Sequence, residues 1–254
     1  MENKNFIITE NNVKEYIEKI SSWIKEKVQE TKTKGVVLGM SGGVDCSVVA
    51  RLCKEANIDI DLVLLPYGDS MEKTESYQDA MELINKFEFN YHVFNIKPAV
   101  DALKIEGTSN NQNAVLAEAN LKPRIRMTYL YQYAQLNNLL VIGTGNLSER
   151  TIGYFTKWGD GASDINPMAN ITKKEVYILA KALDIPENII NKKPSAELWK
   201  GQNDEDDIGI SYAKIDEFIL NETTGNEKED DFIEQKNKKI LHKLKPIPTF
   251  NIVK

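Results

Sequence analysis

Short apolar runs alternate with longer amphipathic segments along most of the chain. Four of these runs are typical of β-strands, at residues 36–38, 60–65, 91–96 and 139–143. The amphipathic segments repeat apolar residues at helical spacing; the first contains Val13, Tyr16, Ile17, Ile20 and Ile24. Strands that alternate with helices in this way indicate an α/β fold with a doubly wound parallel sheet and right-handed crossovers.

The same periodicity places the helices. A helix follows the first strand and continues to about residue 56, and another covers residues 114–136 but is interrupted or restarted near Pro123. Further helices are predicted at residues 12–29, 75–87, 173–183, 208–220 and 232–244. The polar stretches at residues 192–207 and 221–231 are expected to be extended or exposed. No repeat or linker divides the sequence, so one domain over residues 1–254 is expected.

A glycine-rich turn joins the first predicted strand to its helix, within residues 35–49 (GVVLGMSGGVDCSVV). Such a turn directs backbone N–H groups and the positive end of a helix at one point, which suits a phosphate. It is not a Walker A loop, because no Gly-Lys-Ser/Thr follows the glycines. Glycines alone would be ordinary in a tight strand–helix turn, but Ser41, Asp45 and Ser47 in the same turn favour the phosphate interpretation.

Polar side chains also follow the fourth predicted strand, namely Thr144, Asn146, Ser148 and Glu149. In open α/β sheets, ligands bind beyond the carboxyl ends of the strands, so this edge and the glycine turn are expected to face one crevice. Magnesium prefers one or two protein carboxylates together with phosphate oxygens and water. Asp45 and Glu149 are suited by residue type to such a site.

Composition narrows the class of protein. With 254 residues, 41% of them hydrophobic, the chain can bury a full core, and its net charge of −6 argues against general nucleic-acid binding. Cys46 and Cys53 form neither a disulfide framework nor a metal-binding pair, which favours a reducing, cytoplasmic compartment. No signal-peptide core and no apolar run of membrane length occur, so no membrane partner is expected.

The segment SGGVDCS at residues 41–47 resembles the SGGxDS loop of the amide-forming ATP pyrophosphatases. Five further segments occur in the order typical of bacterial ammonia-dependent NAD synthetases: LKPRIRM at 121–127, VIGTGNLSER at 141–150, GYFTKWGDGASDINP at 153–167, ITKKEV at 171–176 and KKPSAELWKGQNDEDDIGISY at 192–212. The resemblance covers roughly residues 13–250. It implies an adenine nucleotide alpha hydrolase-like, Rossmann-like three-layer α/β/α fold, magnesium as cofactor, and a homodimer.

The resemblance also implies a reaction. Deamido-NAD, ATP and ammonia would give NAD, AMP and pyrophosphate through an NAD-adenylate, with no covalent enzyme intermediate. The chain leaves no room for a glutaminase domain, so free ammonia is the expected nitrogen donor unless a separate glutaminase subunit supplies it. Small molecules are therefore the expected partners.

Site residues carry over from the resemblance one position at a time. The ATP-binding positions are Gly39, Met40, Ser41, Gly42, Gly43, Val44, Asp45, Cys46, Ser47, Thr144, Lys173 and Ser195. The positions that would bind deamido-NAD are Arg124, Lys157, Asp160, Asp164, His242 and Lys243. Asp45, Lys173 and Asp160 are the expected catalytic residues, and Asp45 and Glu149 the expected metal ligands.

Several alternatives stay open at this point. The chain could be another ATP pyrophosphatase, amide-forming or tRNA-modifying, or a nucleotide-binding module without turnover. Cys46 departs from the serine usual in the loop, so a reactive thiol is conceivable, although Cys is nearly isosteric with Ser. Arg126 is expected to face solvent and His92 to be packed or hydrogen-bonded in a strand. The acidic run at residues 204–207 is expected to be a solvated loop or part of a lid.

Overall fold

Four parallel strands form the centre of the protein in a computed structural model, which describes residues 6–68, 74–105, 113–195 and 202–250. The strands are β1 (Gly35–Gly39), β2 (Asp59–Leu64), β3 (Asn90–Val93) and β4 (Leu139–Val141). Their order across the sheet is β3-β2-β1-β4. Val36 of β1 pairs with Ile60 of β2 and with Leu140 of β4. The sequence order therefore reverses direction between β1 and β4.

Eleven helices surround the sheet in the described part of the chain. They are α1 (Val13–Thr31), α2 (Val44–Glu55), α3 (Glu75–Phe87), α4 (Lys97–Ala102), α5 (Ala114–Asn137), α6 (Leu147–Ile152), α7 (Lys173–Ala182), α8 (Glu187–Asn191), α9 (Asp204–Ile208), α10 (Tyr212–Asn221) and α11 (Glu227–Leu244). None of the helices described is long and apolar enough to cross a bilayer.

Successive strand residues bury opposite faces of the sheet. Val36 and Leu38 of β1 join a core with α1, α2, α3 and α7, whereas Val37 between them joins a second core with α4 and α5. This alternation is the two-residue period of a strand, and both faces are buried, as parallel sheets require. A third, smaller cluster joins α6, α10 and α11 around the fully buried Ile215 and Ile233. The prediction of a doubly wound parallel sheet is confirmed.

Two local predictions were wrong and the start of one helix was misplaced. α5 runs without a break through Pro123, which is buried against Gly159, so tertiary packing outweighs the local penalty of proline. The acidic run is helical in α9, and α11 begins at Glu227, before its predicted start at residue 232. Within residues 192–207, residues 196–201 lie outside the described residues.

The third strand also differs from its prediction. β3 is four residues long, and every one of them is exposed. His92 is therefore not enclosed in a core; its ring lies 5.1 Å from the ring of Tyr133 on α5. The apolar residues of β3 therefore lie on an edge strand of the sheet and not in its middle.

Candidate active site

The glycine-rich turn between β1 and α2 is tight because a second helix touches it. Gly42 has φ +84°, a left-handed backbone conformation, and a Cβ there would collide with the carbonyl oxygen of Ser76 on α3. Ser41 Oγ accepts from the Gly43 N–H at 3.3 Å and lies 3.3 Å from Cys46 Sγ. The Ser47 hydroxyl donates to the Gly43 carbonyl at 2.8 Å. The turn is thus fixed by glycine geometry and by its own side chains.

A cavity of about 870 Å³ opens at the carboxyl ends of β1 and β4, where the strand order reverses. Parallel α/β sheets bind ligands at such a point. The predicted site residues that line it are Gly39, Met40, Ser41, Gly43, Val44, Asp45, Cys46, Thr144, Glu149, Asp160, Lys173, Ser195 and Lys243. The remaining predicted positions, Gly42, Ser47, Arg124, Lys157, Asp164 and His242, lie outside the lining.

Lys173 holds two carboxylates together in the wall of this cavity. It is the first residue of α7 and only 3% exposed, and its Nζ lies 2.5 Å from Asp45 Oδ2 and 3.7 Å from Glu149 Oε1. Asp45 is in the first turn of α2, and Glu149 is in α6. Residues more than a hundred positions apart therefore meet because β1 and β4 are neighbours.

Asn146 connects the same two carboxylates through a helix cap. Its side-chain oxygen accepts from the Glu149 N–H at 3.0 Å, and its Nδ2 donates to Asp45 Oδ1 at 2.9 Å. Glu149 Oε2 in turn accepts from the Asn146 backbone N–H at 3.2 Å, which completes a capping box at the start of α6. The local signal that begins α6 also orients the acids of the site.

The charges in this cluster do not balance. Burial, and next the neighbouring Asp45 carboxylate, raise the pKa of Glu149 to about 8. Burial disfavours the ammonium of Lys173, but Asp45 and Glu149 outweigh it and hold the pKa of Lys173 above its ordinary value. Asp204 of α9, itself buried, adds a further negative field at Glu149. The cluster favours additional positive charge.

The residues present fit a divalent cation that is shared with phosphate. Glu149 Oε1 lies beyond hydrogen-bond distance from Lys173 Nζ, and among the described residues Lys173 is the ammonium that pairs with both carboxylates. Within the described ranges, no three His, Cys, Asp or Glu residues form a cluster that could hold a metal by themselves. Magnesium needs no such cluster, because it takes one or two carboxylates and fills its remaining positions with phosphate oxygens and water.

The far end of the cavity is formed by the 153–160 segment and α11. Lys243 Nζ donates to the carbonyl oxygens of Gly153 and Phe155 at 2.8 and 2.9 Å. Burial lowers the pKa of Lys243, and burial also raises the pKa of Asp160, whose Oδ1 accepts from the Thr156 N–H at 3.1 Å. An acid and a base thus face the same end of the cavity.

The other predicted substrate-binding residues do not line the cavity. Lys157 Nζ donates to the His242 carbonyl at 2.6 Å, and Arg124 Nε donates to the Lys157 carbonyl at 3.3 Å. Asp164 is exposed and accepts from the Val141 N–H at 2.8 Å, so it caps β4. Arg124 and His242 are exposed as well.

Five basic side chains that line the cavity in the described part of the chain were missed from the sequence. Arg126 was expected to face solvent; instead it lines the cavity, and its Nε donates to the Leu65 carbonyl at 2.9 Å. It lies one helical turn after Pro123, which also lines the cavity, so helical spacing from that residue could have identified it. The other four are Lys192, Lys193, Lys236 and Lys239, and their positions depend on the packing of α8 and α11.

The chain is similar in sequence and in fold to known proteins. The model of the NAD synthase family matches residues 16–246. The NH(3)-dependent NAD(+) synthetase of Carboxydothermus hydrogenoformans is 42% identical over 240 residues, which are 93% of this chain and 97% of that protein.

Two solved structures are also similar. The NMN synthetase of Francisella tularensis has a TM-score of 0.86 and 37% identity over 94% of this chain and 99% of that one. The NH3-dependent NAD synthetase of Campylobacter jejuni in complex with the nitrate ion has a TM-score of 0.79 and 32% identity, with the same coverage. From the match of the family model and the identity over almost its whole length, the chain belongs to the NAD synthase family.

Proposed function

We propose that this protein is a ligase that joins ammonia to the carboxyl group of deamido-NAD, using ATP and releasing AMP and pyrophosphate. The observation that carries the proposal is the cluster of buried Lys173 with the partly buried carboxylates of Asp45 and Glu149, at the point where the strand order reverses. This cluster lies beside a glycine turn that has the geometry of a phosphate site. Membership of the NAD synthase family supports the choice of substrate.

The reaction needs a better leaving group than the oxygen of a carboxylate. In the proposed mechanism the substrate carboxylate attacks the α-phosphorus of ATP, pyrophosphate leaves, and ammonia then attacks the acyl carbon of the NAD-adenylate and expels AMP. The N–H groups of the glycine turn hold the departing pyrophosphate, while Lys173 offsets charge that develops during phosphoryl transfer. Thr144 and Ser195 line the same ATP region. No side chain becomes covalently attached.

Asp45 and Glu149 are the residues that would hold magnesium. When bound, the ion would neutralise negative charge on the pyrophosphate. In the proposal Asn146 fixes the orientation of both carboxylates before ATP arrives, so little reorganisation accompanies the chemical step.

Deamido-NAD occupies the far end of the cavity in this proposal. Asp160 and Lys243 bind its nicotinate half, because both line that end. Arg124, Lys157, Asp164 and His242 contact the part of the dinucleotide that extends beyond the cavity. The chain acts as one catalytic domain over residues 1–254, in the cytoplasm, where the unpaired Cys46 and Cys53 would stay reduced.

A homodimer is part of the proposal, and an exposed aromatic patch supports it. The patch consists of Tyr91, Val93 and Phe94 on and after β3, with Tyr129 and Tyr133 on α5. Tyr91 and Val93 are each 43% exposed, and the Phe94 ring lies 6.1 Å from that of Tyr129. Apolar rings beside an edge strand suit contact with a second copy. Sedimentation of the wild type and of Phe94→Asp tests it: a monomeric wild type contradicts the dimer.

The main proposal is tested by identifying the products that form from ATP. AMP and pyrophosphate should form only when deamido-NAD and ammonium are both present, in equal amounts with NAD. Formation of ADP, or turnover that does not depend on deamido-NAD, would contradict it.

A second candidate reaction is the amidation of the corresponding mononucleotide to NMN. It is favoured by the similarity to the Francisella tularensis NMN synthetase, whose TM-score exceeds that of the Campylobacter jejuni NAD synthetase. The same assay decides between them when the mononucleotide and dinucleotide acids compete at equal concentration. We expect the dinucleotide to have the higher kcat/KM.

A further inference from the structure

An ion pair between a buried carboxylate and a lysine that lines the cavity has no part in the mechanism above. Asp79 of α3 is 4% exposed, and its Oδ2 lies 3.0 Å from Nζ of Lys192, the residue that follows α8. Asn188 Nδ2 donates to Asp79 Oδ1 at 2.8 Å, and Lys192 Nζ also donates to Ser76 Oγ. Removing two charges from water is costly, so each must be held by its partners for the pair to persist.

The pair joins segments that are far apart in sequence but adjacent in the cavity. Ser76 lies in the first turn of α3, and its carbonyl oxygen fills the space that a Cβ on Gly42 would need, so α3 abuts the glycine turn. Lys192 is three residues before Ser195. Ser41, Ser76, Lys192 and Ser195 all line the one cavity. The ion pair therefore ties the segment containing Ser195 to the glycine turn through α3.

Two contacts hold the segment before Ser195. Residues 192–195 belong to neither a helix nor a strand, but the Asp204 N–H donates to the Pro194 carbonyl at 3.0 Å. On the side of α3, the segment is held by the Asp79–Lys192 pair, whose carboxylate is buried. Misplacing a substrate-contacting group by 1 Å can cost about a hundredfold in rate.

We propose that Asp79 and Lys192 are positioning residues for ATP, an inference that rests on the proposed function. The pair sets Ser195 and the glycine turn at the separation that ATP phosphates require. Deamido-NAD binds at the opposite end, so loss of the pair affects ATP and leaves the second substrate unaffected.

Steady-state kinetics of Asp79→Asn and Lys192→Gln test the proposal. We expect the KM for ATP to rise about tenfold in each, while the KM for deamido-NAD stays within about twofold. Asp79→Glu should recover part of the ATP affinity. Equal changes in both KM values would indicate a merely structural role and overturn the proposal.

A second ion pair provides the matched control. Lys86 Nζ lies 2.9 Å from Asp184 Oδ2 and also joins α3 to the chain between α7 and α8, but both side chains are exposed and neither lines the cavity. Lys86→Gln and Asp184→Asn should leave both KM values unchanged. An ATP effect as large in these variants as in Asp79→Asn would also overturn the proposal.

Binding of inorganic pyrophosphate with magnesium, measured by calorimetry, needs no turnover. We expect Asp79→Asn to bind it about tenfold more weakly than the wild type and Lys86→Gln to match the wild type. If the wild type binds pyrophosphate about tenfold more tightly than Asp79→Asn but does not amidate deamido-NAD, the proposed function fails and the positioning role stands. If Asp79→Asn binds it as the wild type does, the positioning role fails.

A double variant covers the case in which Asp79→Asn does not fold. Breaking one side of a buried ion pair is strongly destabilising, whereas replacing both partners by apolar residues is often close to neutral. Asp79→Leu combined with Lys192→Met should therefore fold and still show the raised KM for ATP. A double variant that folds and keeps the wild-type KM for ATP would overturn the proposal.

Discussion

The two ends of the cavity are constructed differently. At the glycine-turn end, Asp45, Glu149 and Lys173 are buried or partly buried, and Lys173 pairs with both carboxylates. At the far end, basic side chains project from α11, and Lys239 among them is exposed. If the proposed function is correct, the groups for phosphoryl transfer are held next to the sheet, while α11 supplies groups that select the second substrate.

Removing the central charge of the buried end should have the largest effect. Lys173→Gln leaves Asp45 and Glu149 uncompensated, so we expect a loss of about 3–5 kcal/mol in the free energy of unfolding. Chemical denaturation measures it. Lys181→Gln, an exposed position in the same helix, should change the free energy by less than about 0.5 kcal/mol. Equal stabilities of the two variants would show that the cluster is not a tight charge assembly.

Neutralising one carboxylate should mainly affect the chemical step. Asp45→Asn is expected to lower kcat about a hundredfold or more, because one charge-stabilising group is lost. Glu55→Gln at the other end of α2 serves as the control and should keep wild-type turnover. Turnover of Asp45→Asn near the wild-type rate at saturating magnesium would place the metal elsewhere.

A substitution at the far end of the cavity should change the affinity for deamido-NAD. Lys243→Met removes the ammonium beside Asp160, and we expect the KM for deamido-NAD to rise about tenfold while the KM for ATP is unchanged. Lys238→Met, whose side chain is exposed on the same helix and paired with Glu234, should have no effect. A larger change for ATP than for deamido-NAD would reverse the assignment of the two ends.

The smallest effect is expected inside the glycine turn. Cys46 is buried, and its Sγ donates to the Gly43 carbonyl at 3.1 Å, a contact that a serine hydroxyl can make. Cys46→Ser should therefore keep kcat/KM within about threefold of the wild type. Loss of all turnover in a folded Cys46→Ser variant would reveal a chemical role for the thiol.

The sequence predicts most of the buried end and less of the far end. The apolar runs of β1, β2 and β4 and the glycine turn are local signals, and their parallel arrangement brings Asp45 near Glu149. Arg126, Lys236 and Lys239 were missed because their roles depend on which face of a helix meets the cavity, and that is decided by packing. Pro123 was misjudged for the same reason: a local penalty for helix was outweighed by burial.

Asn146 limits which residues the site can tolerate. Asn, Asp, Ser and Thr all begin helices well, and at most positions they replace one another at little cost. Here the side chain must accept a hydrogen bond from Glu149 N–H and donate another to Asp45 without adding charge. Aspartate would put a third negative charge beside two carboxylates, and a short hydroxyl cannot span both partners. A substitution that keeps the helix cap would therefore still disrupt the contacts between the two carboxylates. We expect position 146 to vary far less among functional variants than an ordinary helix-capping position.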